Sequence, residues 1–189
     1  MSGPTAKTIG FMPRRADISR ADFRTYYETR HAVLAVPLFP FRRYRRNHLA
    51  DQAIEPGFDC ISEFWVGSLE KIGELMAGEV GDTMRTDERN FLDQPNILAV
   101  RAEPVATGSD SAGSLALLIS EGGDAAALTE AARKADAGLD LLSPLDERAS
   151  PCDAILRFYG SLPALPEGWR VDRQIEVIPC ETDPAQLRG

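Results

Sequence analysis

The spacing of apolar positions changes along the chain, and each change marks an element. Residues 8–13 (TIGFMP) read as a short strand. From Ser19 the apolar positions recur at helical spacing. Ser19 is a good N-cap, Asp22 three residues on completes a capping-box-like pair, and Pro37 is expected to end the helix at about Val36. Residues 41–49 (FRRYRRNHL) alternate, and residues 58–66 (FDCISEFWV) are aromatic and β-branched, so both are expected strands. Ser68 caps a helix to about Gly78, with Leu69, Ile72 and Leu75/Met76 on one face. A second short helix is expected at about 86–92 and a closing strand at 97–103. The order β-α-β-β-α-β is ferredoxin-like. It predicts an α+β fold: a four-stranded antiparallel sheet, helices on one face, and a partner for the other, because an apolar sheet face does not stay wet.

The second half reads as a worn copy. Strands are expected at 114–121, 154–161 and 169–180, with a short one at 139–142. Asp124 caps a helix carrying Leu128, Ala131, Ala132 and Ala135 on one face, and a proline-rich turn at 162–168 stands where the second helix would be. A degenerate repeat would supply the second sheet of a barrel within the same chain. An unrelated acidic α/β extension is the alternative. The small, polar, glycine-rich stretch 106–113 divides the two, giving a domain at 1–107, a linker at 108–113 and the degenerate half at 114–189.

Charge separates the halves further. Residues 1–107 hold 14 basic against 15 acidic side chains, whereas 108–189 hold 7 against 14. An acidic chain without a broad basic stripe is a poor nucleic-acid binder, and the arginines at 42, 43, 45 and 46 alternate across both faces of their strand with no stacking platform. No apolar run reaches membrane-spanning length, and residues 1–15 show no signal-peptide pattern. Cys60, Cys152 and Cys180 form no CxxC pair, so free thiols, a cytoplasmic location and no metal site are expected. Motifs for nicotinamide, ATP, serine-hydrolase and zinc chemistry are missing from the sequence.

The candidate chemistry lies in the first half. His31 follows Tyr27 by four residues and Phe23 by eight, which puts it on the sheet-facing stripe. An imidazole there is partly desolvated, neutral at pH 7 and able to take a proton. From spacing alone, a buried histidine satisfied by a backbone carbonyl is the favoured reading. On the strand 41–49, Tyr44, Arg46 and His48 share a face with Arg42. If that face looks toward the helices, Arg46 is placed to hold a carboxylate or enolate oxygen, Tyr44 to donate a hydrogen bond and His48 to act as second proton carrier. A solvated edge strand is the competing account. Glu63 and Trp65 share a face of the next strand. Glu63 would orient a histidine or pair with an arginine. Cys60 reads as a small buried hydrophobe. Phe91 reads as core, and Asp87 suits a helix start.

The run Phe23-Arg-Thr-Tyr26-Tyr27-Glu-Thr-Arg30-His31-Ala-Val-Leu34 resembles the first helix of the EthD family, "F..YY...HAPL", with Val33 in place of the proline. Tyr44-Arg-Arg-Asn47-His48 and Asp87-Glu-Arg-Asn-Phe91-Leu92-Asp93 resemble two further stretches of that family. The resemblance covers roughly residues 5–105. It implies a dimeric α+β barrel, a cavity between sheet and helices faced by the first-helix histidine, and chemistry by protein side chains with no cofactor. Some wider relatives hold haem through a histidine. The resemblance turns the reading of His31 toward function. The expectation is a cofactor-independent lyase or isomerase, with dehydration, decarboxylation, isomerisation or cyclisation as its reaction. His31 and His48 would be catalytic, and Phe11, Tyr27, Tyr44, Arg46, Glu63, Trp65 and Phe91 would line the substrate site. The partner would be a small hydrophobic or aromatic, polyketide-like or lactone metabolite, and a homodimer is the assembly left open. The alternatives are a non-catalytic binding or accessory protein and a barrel filled by its own side chains.

Overall fold

A computed structural model describes residues 5–51, 55–108 and 113–189. The chain divides into two compact units, residues 1–99 with 179–189 and residues 100–178. Residues 109–112, the centre of the expected linker, lie outside the described residues.

The first unit begins with β1 (Ala6–Met12), followed by α1 (Arg20–Tyr26). Ser19 caps α1 by accepting from the Asp22 amide, and its hydroxyl donates to the Asp22 carboxylate at 2.6 Å. The next turn, Tyr27–His31, is π-helical, and α2 (Ala32–Leu38) continues from it. Pro37 sits inside α2, so the helix runs to Leu38 and not only to Val36. A proline in the last turn costs a single backbone bond there. β2 (Phe41–Leu49) and β3 (Cys60–Val66) pair antiparallel, and β3 also pairs with β1, giving the order β1-β3-β2. A register shift between Phe41 and Arg43 moves Phe41 to the Tyr44 side of β2, with ring centroids 5.0 Å apart.

α3 (Leu69–Ala77) carries the expected Ser68 cap. α4 is Glu79–Glu88, earlier than the expected 86–92. Gly81 permits it: a Cβ there would lie 2.0 Å from the Met76 carbonyl oxygen, so only glycine lets α4 start so close behind α3. Phe91 and Leu92 fall beyond α4 in a turn and are buried. The helices cover one sheet face around Phe23, Tyr27, Ala35, Phe41, Tyr44, Met84 and Phe91. Residues 179–181 close the other edge of β2, where the Thr182 amide donates to the Tyr44 carbonyl at 3.0 Å.

The second unit contains most of β4 (Leu98–Ala106), β5 (Ser114–Ser120), α5 (Ala125–Lys134), β6 (Gly138–Pro144), β7 (Ala154–Phe158) and most of β8 (Trp169–Glu181). Asp124 caps α5 as expected. Its strand order contains β5-β7-β6, the same order as β1-β3-β2: the third strand lies between the first two, and the helix follows the first. Residues 162–168 contain no helix. This unit has its own core around Leu118, Leu128, Leu139, Leu156 and Phe158. No described helix is long and apolar enough to cross a membrane.

Candidate functional site

The helix-facing side of β2 carries Tyr44, Arg46 and His48, and these meet the first helical segment at Glu28. Glu28 is the second residue of the π turn, next to Tyr27 and one residue off the buried stripe. Its carboxylate binds Arg46 through both oxygens, Nε to Oε1 at 2.9 Å and Nη2 to Oε2 at 2.8 Å. His48 Nε2 lies 2.6 Å from Glu28 Oε1. Arg46 Nη1 donates to Thr182 Oγ1 at 2.5 Å and to the Tyr44 carbonyl at 3.3 Å, and its guanidinium stands 4.5 Å over the Tyr44 ring.

Burial differs across this cluster. His48 keeps 1% of its surface and Glu28 25% of its side chain. Burial alone would raise the Glu28 pKa, but hydrogen bonds from His48 and Arg46 hold it at about 2. Burial alone would lower that of His48. The adjacent Cys60 sulfur and the Glu28 carboxylate act in the other direction and carry it to about 9. The Cys60 sulfur is the larger of these raising influences, and the Glu28 carboxylate adds to it. His48 is therefore an imidazolium at pH 7. Its Nδ1 is sealed without a hydrogen-bond partner.

A cleft of about 480 Å³ opens beside this cluster. Ala32, Val33 and Val36 form its apolar wall, and Glu28, Arg46 and Thr182 its polar one, with Glu181, Asp183 and Gln186 completing the lining. Val33, where the EthD pattern has proline, is 65% exposed.

His31 lies on the other side of Tyr27. Its Nδ1 is 2.8 Å from Asp87 Oδ2, and Tyr26 donates to Asp87 Oδ1 at 2.8 Å. Burial would raise the Asp87 pKa, yet the bonds from His31 and Tyr26 hold it below the usual range. The His31 ring packs 5.0 Å from Phe91 and 4.9 Å from Tyr27. Tyr27 also meets His48 edge-on at 5.3 Å. The Tyr27 hydroxyl bonds to Ser62 Oγ at 2.8 Å and accepts from Tyr44 at 3.2 Å, and burial raises the pKa of both phenols.

The expectation of two imidazoles lining one pocket is thus corrected. Tyr27 is packed between them, and neither ring lines the cleft. Of the expected lining residues, Tyr27, Tyr44 and Phe91 are core around the histidines, and only Arg46 reaches the cleft. Arg46 is not an open oxyanion clamp either, because Glu28 takes both prongs of its fork. Glu63 and Trp65 lie on the opposite sheet face. There Glu63 meets Lys7 at 2.5 Å and accepts from Asn47 at 2.8 Å, and Lys7 stands 4.4 Å over Trp65. Phe11 packs on Phe58 at 5.2 Å, outside the helix-side cluster.

The sequence reading passed over Glu28, Thr182 and Asp87's hold on His31. Glu28 is polar and lies beside the stripe being followed. Thr182 is 136 residues from Arg46, beyond any local pattern.

Ligand atoms of Glu28, His48 and Cys180 lie within 4.8 Å of one another. Arg46 already neutralises both Glu28 oxygens, and burial with Glu28 nearby raises the Cys180 thiol pKa, so this set is an ion-pair network and a poor cation cage. Haem does not fit either histidine. Phe23 and Tyr27 enclose His48, Phe91 and Tyr27 pack on His31, and each ring gives one nitrogen to a carboxylate.

Comparison with known proteins gives the family context. No curated protein matches the sequence. A solved EthD (ethyl tert-butyl ether D) family protein of Bacillus halodurans C-125 is 17% identical, covering 53% of this chain and 98% of its own, at a TM-score of 0.42. A mutant chlorite dismutase of Candidatus Nitrospira defluvii is 11% identical, covering 82% and 76%, at a TM-score of 0.45. The EthD domain model matches residues 15–95, a span that holds Glu28, His31, Arg46, His48 and Asp87. The fold is that of the dimeric α+β barrels, and residues 15–95 of this chain match the EthD domain model.

Proposed function

We propose that the chain is a cofactor-independent lyase or isomerase. It would act on a small apolar, aromatic or lactone-like molecule held in the Glu28–Arg46 cleft. The observation that carries this reading is a charged, buried imidazole 2.6 Å from a carboxylate that lines an amphipathic cleft. His48 holds the proton at pH 7 and acts as the acid. Its Nε2–H passes to Glu28, and the Glu28 carboxyl delivers it to a departing hydroxyl, a carbonyl oxygen or an enolate carbon. The proton that the substrate gives up from carbon is taken by Glu28 and returns through it to His48, whose ring is shut off from solvent. Arg46 and Thr182 fix the carboxylate in place, and Ala32, Val33 and Val36 shelter the apolar body of the substrate. Residues 1–107 carry this chemistry as the working domain. Residues 114–189 hold no histidine, and Thr182 belongs to the segment 179–189 that packs within the first unit.

A second reading, non-catalytic binding, has its own observation: neither imidazole lines the cleft. The test is turnover of hydroxylated aromatics and lactones by the full chain, followed by His48→Gln. Catalysis predicts a loss of about 10²–10⁴-fold in rate with ligand binding retained. Binding without turnover across the panel, or an unchanged rate in His48→Gln, favours the binding protein.

A further inference from the structure

We infer that the cleft selects an uncharged, hydroxyl-bearing apolar molecule and rejects the matching carboxylate, an inference that rests on reading this cleft as the ligand site. A carboxylate needs donors. Arg46 is the sole cationic side chain among the described lining residues, and its donors are committed. Nε and Nη2 hold the two Glu28 oxygens, and Nη1 holds Thr182 Oγ1 and the Tyr44 carbonyl. That leaves a single N–H of the fork's five for any ligand. The other charged groups lining the cleft, Glu28, Glu181 and Asp183, are acceptors, and a ligand carboxylate would be set among them. Gln186 is exposed at the rim, where its amide stays hydrated.

A hydroxyl meets the opposite circumstances. Glu28 Oε2 receives one hydrogen bond, from Arg46 Nη2, and retains a lone pair for a ligand O–H. The Thr182 hydroxyl, which accepts from Arg46, keeps its own hydrogen to donate. A neutral molecule with an O–H on a flat apolar body therefore matches both walls. The analogue without that hydrogen leaves Glu28 unsatisfied, and the anion finds only one Arg46 N–H and the Thr182 hydroxyl to set against three carboxylates.

The experiment is isothermal titration of the full chain at pH 7 with naphthol, methoxynaphthalene and naphthoate, all substituted at the β position. The expected result is naphthol binding at least about tenfold more tightly than either of the others. In Val36→Trp, which fills the cleft from its apolar wall, that binding is lost. Naphthoate or methoxynaphthalene binding as well as naphthol overturns the inference while leaving the cleft as a ligand site. No binding by any of the three, or naphthol binding that Val36→Trp leaves intact, overturns the inference and the cleft reading together.

Discussion

Glu28 determines the chemistry of its neighbours. A carboxylate between a guanidinium and an imidazole fixes the charge of both, which is why His48 reads as an acid and not as the neutral base that burial alone would produce. The sign of its effect on stability follows from the raised pKa. The His48–Glu28 contact stabilises the fold fully below the ordinary histidine value of 6.5 and is lost as pH rises toward about 9. Glu28, with a lowered pKa, loses its contribution as pH falls from 4.5 toward about 2. Urea titrations at a series of pH values should show the midpoint declining between about pH 6.5 and 9, and His48→Gln should flatten that decline. A wild-type midpoint that rises across this window would contradict the assignment. Sequence alone pointed to His48 and Arg46 through the period of two on β2. Their carboxylate partner stayed hidden because the contact depends on how a π turn rotates Glu28 toward the strand.

At the scale of elements, the π turn is held at both ends. Tyr27 ties it to the sheet through Ser62 and Tyr44, and Asp87 ties His31 and Tyr26 to α4. Such turns recur at functional sites because the extra residue re-aims side chains that a regular helix would present elsewhere. Asp87→Ala should remove the acceptor for one buried and one half-buried donor, His31 and Tyr26. It should cost about 1–3 kcal/mol in urea unfolding and speed amide exchange in residues 27–31. A change within about 0.5 kcal/mol would mean that the clasp carries no weight. The elements themselves were largely legible. Ser19, Ser68 and Asp124 announced three helices by capping chemistry, and β2 was read to its ends. α4 was missed because residues 79–85 offer little apolar rhythm, only Val80 and Met84, while its start depends on Gly81's close approach to α3.

At the scale of the molecule, the two halves share a strand order but not a site. Both histidines lie in the first half, and the second holds a buried Asp140–Arg157 pair at 2.5 Å. The shared strand order was readable because strand and cap signals are local. The site was readable only in part, because it joins Arg46 to Thr182, 136 positions away and beyond the end of β8. With only two histidines in the chain, the central claim is open to one clean measurement: a pH titration of nitrogen-15-labelled histidine by NMR, with the resonances assigned by His31→Asn. The His48 ring should titrate near pH 9 and fall by more than one unit in Glu28→Gln. A His48 midpoint at or below 6.5 in the wild type would show that no charged acid stands behind the cleft.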